Sequence, residues 1–341
     1  MPRSTTTFTR AAIAAAATCA LGVSLASGAS AAGFVQDRVA GDDRYETAVE
    51  LSKLGFNADA SADAVVLARG DAYADALAGS PLAAVKNAPL LLTSPTSLTP
   101  ATATEIKRVL PQGGTVYLLG GTAAVAPAVD EGLKELGYVV ERISGADRYL
   151  TALEVADEIG EFETVLLATG TDFADALSAG NVAAAKDGVV MLSHGETLTD
   201  EVKQFLAAQD DVVAVGGPAQ VAAAAANVPV LGLFGDDRFE TAVEVADHFF
   251  DFSGGGFAGI SLANGEDFPD ALTAGAASGR NGGPVVLTRK DALPDSTEDY
   301  ARVVGASPSV VLGYVVGGEM AISAEVYEAF DAALKGVTPT E

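Results

Sequence analysis

The chain is 341 residues long and strongly acidic, with 46 Asp and Glu against 20 Lys and Arg and a formal charge of −26. A surface of that sign repels nucleic acid and anionic membranes at long range, which argues against both as partners. With one cysteine (Cys19) and two histidines (His194 and His248), the chain offers little for a disulfide framework, a thiol nucleophile or a histidine-built metal site.

At the N-terminus, Arg3 and Arg10 supply a positive start, Ala11 to Ala26 is apolar and Ala-rich, and Ala29-Ser30-Ala31 places small residues where a signal peptidase accepts them. Residues 1–31 are therefore expected to be a secretory signal peptide. The apolar stretch is shorter than the roughly 20 residues a membrane span needs. Cys19 is expected to leave with the leader: Thr18 precedes it where a lipidation site wants a smaller residue, and the apolar run continues beyond it. The mature chain is then a secreted protein without disulfides. Its stability must come from cores of about a hundred residues each, which is enough to fold without staples. Lys335 to Glu341 carries no sorting signal with an apolar anchor, so retention at the cell would be non-covalent.

After the leader, four phrases recur three times in one order. GDDRYETA begins at Gly41, GADRYLTA at Gly145 and GDDRFETA at Gly235. RGDAYADALAG follows at Arg69, TGTDFADALSA at Thr169 and NGEDFPDALTA at Asn264. Next come apolar runs ending in a hydroxyl (PLLLT from Pro89, VVMLS from Val189, PVVLT from Pro284), and then apolar runs ending in the pairs Gly120-Gly121, Gly216-Gly217 and Gly317-Gly318. The chain is one unit written three times, with expected limits of 34–141, 142–230 and 231–336. Such a pattern points to a multivalent or pseudo-symmetric function.

Within a unit, the runs Ala64–Ala68, Pro89–Thr93 and Thr115–Leu119 are short, continuously apolar and partly β-branched, the pattern of strands covered on both faces. Helical stretches lie between them. Asp43 with Glu46, and Asp237 with Glu240, have the form of a capping box, which Leu150 breaks in the middle copy. Thr99-Pro100 supplies a cap residue and an N1 proline. Each unit is thus expected to be a three-layer α/β fold with a parallel sheet. The joints GYVVERIS and NVPVLGLF are too short and apolar to be flexible linkers, and read as packed connections or additional strands. An approximate threefold arrangement is the simplest packing for three such units, with a linear row as the alternative.

The phrases GxD, DAL and GG fall at strand ends and helix starts, the edge of an open α/β sheet where ligands bind. Asp75, Asp175 and Asp270 are the repeated carboxylates there, either capping the following helices or contacting a ligand. The glycine pairs suit tight turns, with a phosphate cradle as the lesser reading. Arg44, Arg148 and Arg238 are kept in one phrase of an acidic chain. They would either hold an acid or strand-end carbonyls across the interface between units, or present a fork to an anionic polymer. Tyr45, Tyr149 and Phe239 beside them suit core anchors, while Tyr73, Phe173 and Phe268, in the loop before DAL, are better placed to be exposed. His194 and His248 sit at different places in their copies with no repeated partner, and there is no HExxH, GxSxG or EF-hand pattern. No catalytic residue, metal ligand or cofactor site is assigned, and the chain is expected not to be an enzyme.

The ordered set G-x-D-R-[YF]-x-T-A, G-x-x-[YF]-x-D-A-L, apolar-Thr/Ser and GG resembles the cell wall-binding repeat, type 2, which occurs in tandem threes on secreted proteins of Gram-positive bacteria. The resemblance runs from about Arg38 to Leu334. It implies three tandem Rossmann/Toprim-like three-layer repeats packed as one pseudo-threefold module. It further implies a secreted, cell-surface protein held non-covalently to an anionic wall polymer, of teichoic type or a secondary polysaccharide. Such repeats commonly accompany another domain, which is not expected within the 341 residues read here. The expected function is non-catalytic wall binding. The alternatives are a peptidoglycan hydrolase or autolysin modifier, and a self-assembling surface-layer component. An acidic chain on an anionic polymer requires either a local basic groove around the arginines or a bridging divalent cation. Leu150, the shortened end of the second copy and the Ser253–Gly256 insertion make the three units unequal.

Overall fold

Twelve strands alternate with twelve helices among residues 35–250, 259–307 and 312–337, the parts that the computed structural model describes. The expected signal peptide and the Ser253–Gly256 insertion lie outside the described residues. A first strand, β1 (Val35–Val39), leads into α1 (Arg44–Gly55). The apolar runs of the first repeat then form β2 (Ala64–Arg69), β3 (Leu90–Thr93) and β4 (Thr115–Leu119), separated by α2 (Gly79–Val85) and α3 (Pro100–Val109). Val65, Val66, Leu67, Leu91 and Leu92 are fully buried, which is why these strands show no polar alternation. Each such side chain contributes about 2 kcal/mol by leaving water.

The joint after α4 (Pro127–Glu135) is a fourth strand, β5 (Val139–Ile143), and the first sheet is ordered β3-β2-β4-β5, all parallel. The second repeat repeats the scheme with α5 (Arg148–Ile159), β6 (Thr164–Thr169), α6 (Ala174–Ala185), β7 (Gly188–Ser193), α7 (Asp200–Leu206), β8 (Val212–Val215), α8 (Gly217–Ala225) and β9 (Leu231–Leu233), giving the order β7-β6-β8-β9. The third comprises α9 (Arg238–Phe249), β10 (Gly259–Asn264), α10 (Pro269–Arg280), β11 (Val285–Thr288), α11 (Asp295–Gly305), β12 (Leu312–Val316) and α12 (Ala324–Leu334). Its sheet takes the fourth strand from the other end of the chain: β1 pairs parallel with β12, from Val35 opposite Leu312 to Val39 opposite Val316.

Each strand that precedes a DR[YF] helix therefore belongs to the preceding sheet, and the chain crosses from sheet to sheet at the motif. With β1 in the third sheet the three units close a ring, so the arrangement is pseudo-threefold and not a row. The helices that follow the DAL loops, α2, α6 and α10, pack together in the middle. Ser80, Gly180 and Gly275, at one motif position, keep that contact close: a Cβ at Gly180 would lie 3.4 Å from Ser80 Oγ, and one at Gly275 would lie 3.6 Å from it. Asn181 ties the second repeat to the third, its amide donating to the Gly275 and Gly283 carbonyls at 3.3 and 3.1 Å and its Oδ1 accepting from Val285 N at 3.0 Å.

Two local expectations change. Asp43 and Asp237 cap their helices as expected, but Glu46 and Glu240 accept from the amides of Asp42 and Asp236, one residue earlier than a capping box requires. Pro100 does open α3, yet the Thr99 hydroxyl donates to Thr102 Oγ1 at 2.7 Å and caps no amide.

Candidate functional site

The letters of G-x-D-R-[YF]-x-T-A each have a structural reason. The aspartate (Asp43, Asp147, Asp237) accepts from two amides of the first helical turn. The threonine hydroxyl (Thr47, Thr151, Thr241) accepts from the amide of the motif's own glycine at 3.2, 3.1 and 3.1 Å, folding the entry loop over the helix start. That glycine cannot carry a side chain, because a Cβ on Gly41, Gly145 or Gly235 would collide with Glu46, Leu150 or Glu240. Tyr149 and Phe239 are buried and Tyr45 packs against the same core, their rings lying over Gly170, Gly265 and Gly70, where a Cβ would overlap them.

The arginine then reaches the end of the first strand of its own sheet. Arg44, Arg148 and Arg238 donate through Nη1 to the carbonyls of Gly70, Gly170 and Gly265 at 2.6, 2.5 and 2.7 Å. Each guanidinium also lies over an aromatic ring of the neighbouring repeat: Arg44 over Phe268 (6.0 Å), Arg148 over Tyr73 (5.4 Å) and Arg238 over Phe173 (5.4 Å). Tyr73, Phe173 and Phe268 converge, with centroids 5.6, 5.8 and 6.1 Å apart. They face one another; Phe268 is only 6% exposed, while Tyr73 and Phe173 stay half-buried. The three rings form a plug ringed by three arginines at the carboxyl ends of the strands, with Phe268 buried and Tyr73 and Phe173 partly exposed.

The three junctions between repeats differ in one residue. Arg44 Nη2 lies 3.5 Å from Asp267 and Arg238 Nη2 lies 3.1 Å from Asp172. Both carboxylates are oriented by their own loops, through the amides of Phe268 and Phe173. The equivalent position facing Arg148 is Ala72, and among the described residues Arg148 has no acidic partner at ion-pair distance. The single-letter reading of the motifs passed over Asp172 and Asp267. Setting G-D-A-Y, G-T-D-F and G-E-D-F in register exposes them and their missing counterpart.

Asp75, Asp175 and Asp270 do not cap helices. The cap positions of α6 and α10 are Phe173 and Phe268, without side-chain bonds, and α2 begins only at Gly79. Their carboxylates press on the first glycine of each GG pair, where Gly120, Gly216 and Gly317 have φ of 101°, 87° and 117° and a Cβ would fall on Oδ2. The pairs are tight turns against a side chain. In the first repeat Asp75 also accepts from Thr151 Oγ1 of the second, at 2.9 Å. Burial pushes the carboxyls of Asp175 and Asp270 up to about 6, with Asp172 and Asp267 adding to the rise and Arg238 and Arg44 opposing it.

His194 and His248 are exposed, His194 lying edge-on to Tyr149 and His248 to Phe249. Among the described residues no group of three or more His, Cys, Asp or Glu side chains is gathered as a metal site. No described helix is long and apolar enough to cross a membrane.

A ring of three α/β repeats whose shared junctions carry arginine over an aromatic ring is a modular, repeat-built architecture. The chain matches the family "Cell wall binding domain 2 (CWB2)" over residues 38–130, 142–226 and 233–327, and it belongs to that family. It is similar to the N-acetylmuramoyl-L-alanine amidase LytC of Bacillus subtilis strain 168, with 29% identity over 90% of this chain and 60% of the relative. It is also similar to the amidase enhancer of the same organism, with 27% identity over 86% of this chain and 39% of the relative. The chain thus spans less than two thirds of either. Among solved structures it resembles Cwp8 from Clostridium difficile, with a TM-score of 0.77 and 29% identity over 89% of this chain and 52% of that one. Cwp6 from the same organism shares the fold, with a TM-score of 0.78 over 91% of this chain and 49% of that one.

Proposed function

We propose that this chain is a secreted, non-catalytic attachment module that holds non-covalently to an anionic polymer of the Gram-positive cell wall. The observation that carries the reading is the ring of Arg44, Arg148 and Arg238 at the strand ends. In a chain of charge −26, the same cation is kept at three equivalent places, with part of its fork turned outward. Arginine suits this role because its planar donors match phosphate and carboxylate bidentately. On this reading the arginine forks supply, contact by contact, the attraction that the overall charge denies.

The test is co-sedimentation of the mature protein with purified walls, before and after acid extraction of their anionic polymers. Binding to intact walls and its loss on extracted walls are expected. Equal retention on extracted walls, or none on intact ones, would sink the polymer claim.

The alternative reading, a peptidoglycan hydrolase or autolysin modifier, draws on the raised carboxyls of Asp175 and Asp270, since a carboxyl tuned near neutrality suits general acid chemistry. Against it, those carboxyls rest on glycine turns inside the junctions. Zymography is expected to show no lysis by the wild type. Lysis that disappears in a folded triple variant (Asp75→Asn, Asp175→Asn, Asp270→Asn) would favour catalysis.

A further inference from the structure

We infer that the three junctions are not equivalent, and that the one between the first and second repeats is the anion-capturing site of this chain, with Arg148 as its ligand-binding residue. The inference rests on the reading of the arginines as polymer contacts and says which of them is available.

At the other two junctions the outward donors of the arginine already face a carboxylate. Asp172 meets Arg238 at 3.1 Å and Asp267 meets Arg44 at 3.5 Å. An incoming phosphate or carboxylate there encounters a fixed negative charge as well as the arginine, and that like-charge contact opposes its binding. At the remaining junction the backbone position is the same but the residue is Ala72, which has neither charge nor hydrogen-bonding capacity. Arg148 is nonetheless held as its counterparts are. Its Nη1 is fixed on the Gly170 carbonyl at 2.5 Å and its plane lies over Tyr73 at 5.4 Å. The guanidinium is thus oriented in advance while its remaining donors lack an acidic partner, so little ordering entropy opposes capture of an anion.

The nearest repeated carboxylate, Asp75, accepts from Thr151 Oγ1 at 2.9 Å and rests against Gly120. Among the described residues no threonine makes the corresponding bond to Asp175 or Asp270 at the other two junctions. The Tyr73 hydroxyl donates to the Thr171 carbonyl at 3.1 Å, bridging the first and second repeats beside Arg148. No other ring of the plug carries a hydroxyl. The ligand class is a compact oxyanion on a polymer, a phosphodiester or a carboxylate, with one such group engaged per chain.

Inorganic phosphate is the probe, followed by nitrogen-15 correlation spectra of the arginine side chains of the intact mature protein, with signals assigned by Arg→Lys variants. The Arg148 signal is expected to move saturably with phosphate, while Arg44 and Arg238 stay nearly still. Ala72→Asp installs the residue that the other repeats carry, so its fold is compatible, and it should weaken the Arg148 response roughly tenfold or more. Asp172→Asn keeps the acceptor for the Phe173 amide, removes the charge, and should make Arg238 responsive. Equal responses from all three arginines, no response from Arg148, or an Ala72→Asp protein that binds phosphate like the wild type would each overturn the inference. Phosphate capture by a protein that ignores intact walls would remove the wall-polymer function and leave this site standing, and wall binding unaffected by Ala72→Asp would do the reverse.

Discussion

The second and third sheets carry out the same topology by different means. The second is contiguous: β9 follows α8 directly, is three residues long, and has Gly232 where the other fourth strands carry an arginine. The space beside Gly232 is taken by the Gln220 side chain. The third sheet must recruit β1 from the opposite end of the chain, and that strand brings a latch. Arg38 donates to the carbonyls of Gly317 at 2.7 Å, Ile322 at 3.0 Å and Ser323 at 3.4 Å, with its guanidinium 5.0 Å over Tyr327. Tyr327 and Gln36 add a reciprocal pair of bonds. A contiguous strand is delivered by its loop, at small closure entropy. A strand from the far terminus must be held by side chains, because chain connectivity does little to keep it in place.

The largest test of that contrast is removal of β1. A protein beginning at Ala40 should lose most of its stability, more than about 4 kcal/mol, because β12 becomes a bare edge and the ring opens. Chemical denaturation and light scattering would read the loss and the accompanying association. A truncated protein that unfolds like the full one would show that β1 is ornamental. Next in size, Arg38→Ala should cost about 3 kcal/mol by stranding the Gly317 and Ile322 carbonyls, the Ser323 carbonyl keeping the Tyr327 amide. Arg142→Ala, which releases the Gly120 carbonyl and Asp130 on a covalently delivered strand, should cost about half as much. Equal costs in thermal unfolding would mean that connectivity makes no difference.

A smaller effect should be blind to the contrast. Asp175 belongs to the second repeat and Asp270 to the third, yet both are raised to about 6 from the ordinary carboxyl value of 3.8. The folded state therefore binds more protons than the unfolded state between those values. The contribution of these two carboxyls to stability is full below about pH 4 and is lost as pH rises through 6, by on the order of 3 kcal/mol per group. Asp175→Asn and Asp270→Asn should each flatten the pH profile of the melting temperature by a similar amount. A profile that steepens, or that changes for one variant only, contradicts the shared origin in burial. Smallest of all, the Lys86–Glu158 pair across the first and second repeats, 2.5 Å apart and partly exposed, should be worth about 0.5 kcal/mol in a double-mutant cycle and weaken further in salt.

Much of the fold is legible because each local rule agrees with the global one. The buried apolar runs fall on strands within a residue of expectation, as with Thr115–Leu119 for β4. Asp43, Asp147 and Asp237 cap helices where their sequence context says a cap is needed. The candidate site was legible in identity but not in arrangement. Nothing in the spacing of Tyr73, Phe173 and Phe268 says that they meet, since each contact is made between repeats. Asp75 looks like a helix cap by position, and only the approach of the Gly120 turn shows that its carboxylate is used elsewhere.

By itself the sequence determined three copies of one α/β unit, the strand and helix of nearly every phrase, and which residues recur, because those are set by local propensity and by burial period. Tertiary structure alone decided that Val35–Val39 belongs to the last sheet and that the repeated arginines lie over a neighbour's ring. It also decided that Ala72 stands where two other junctions place a carboxylate. All three depend on which repeat ends up beside which, and that is fixed by closing the ring.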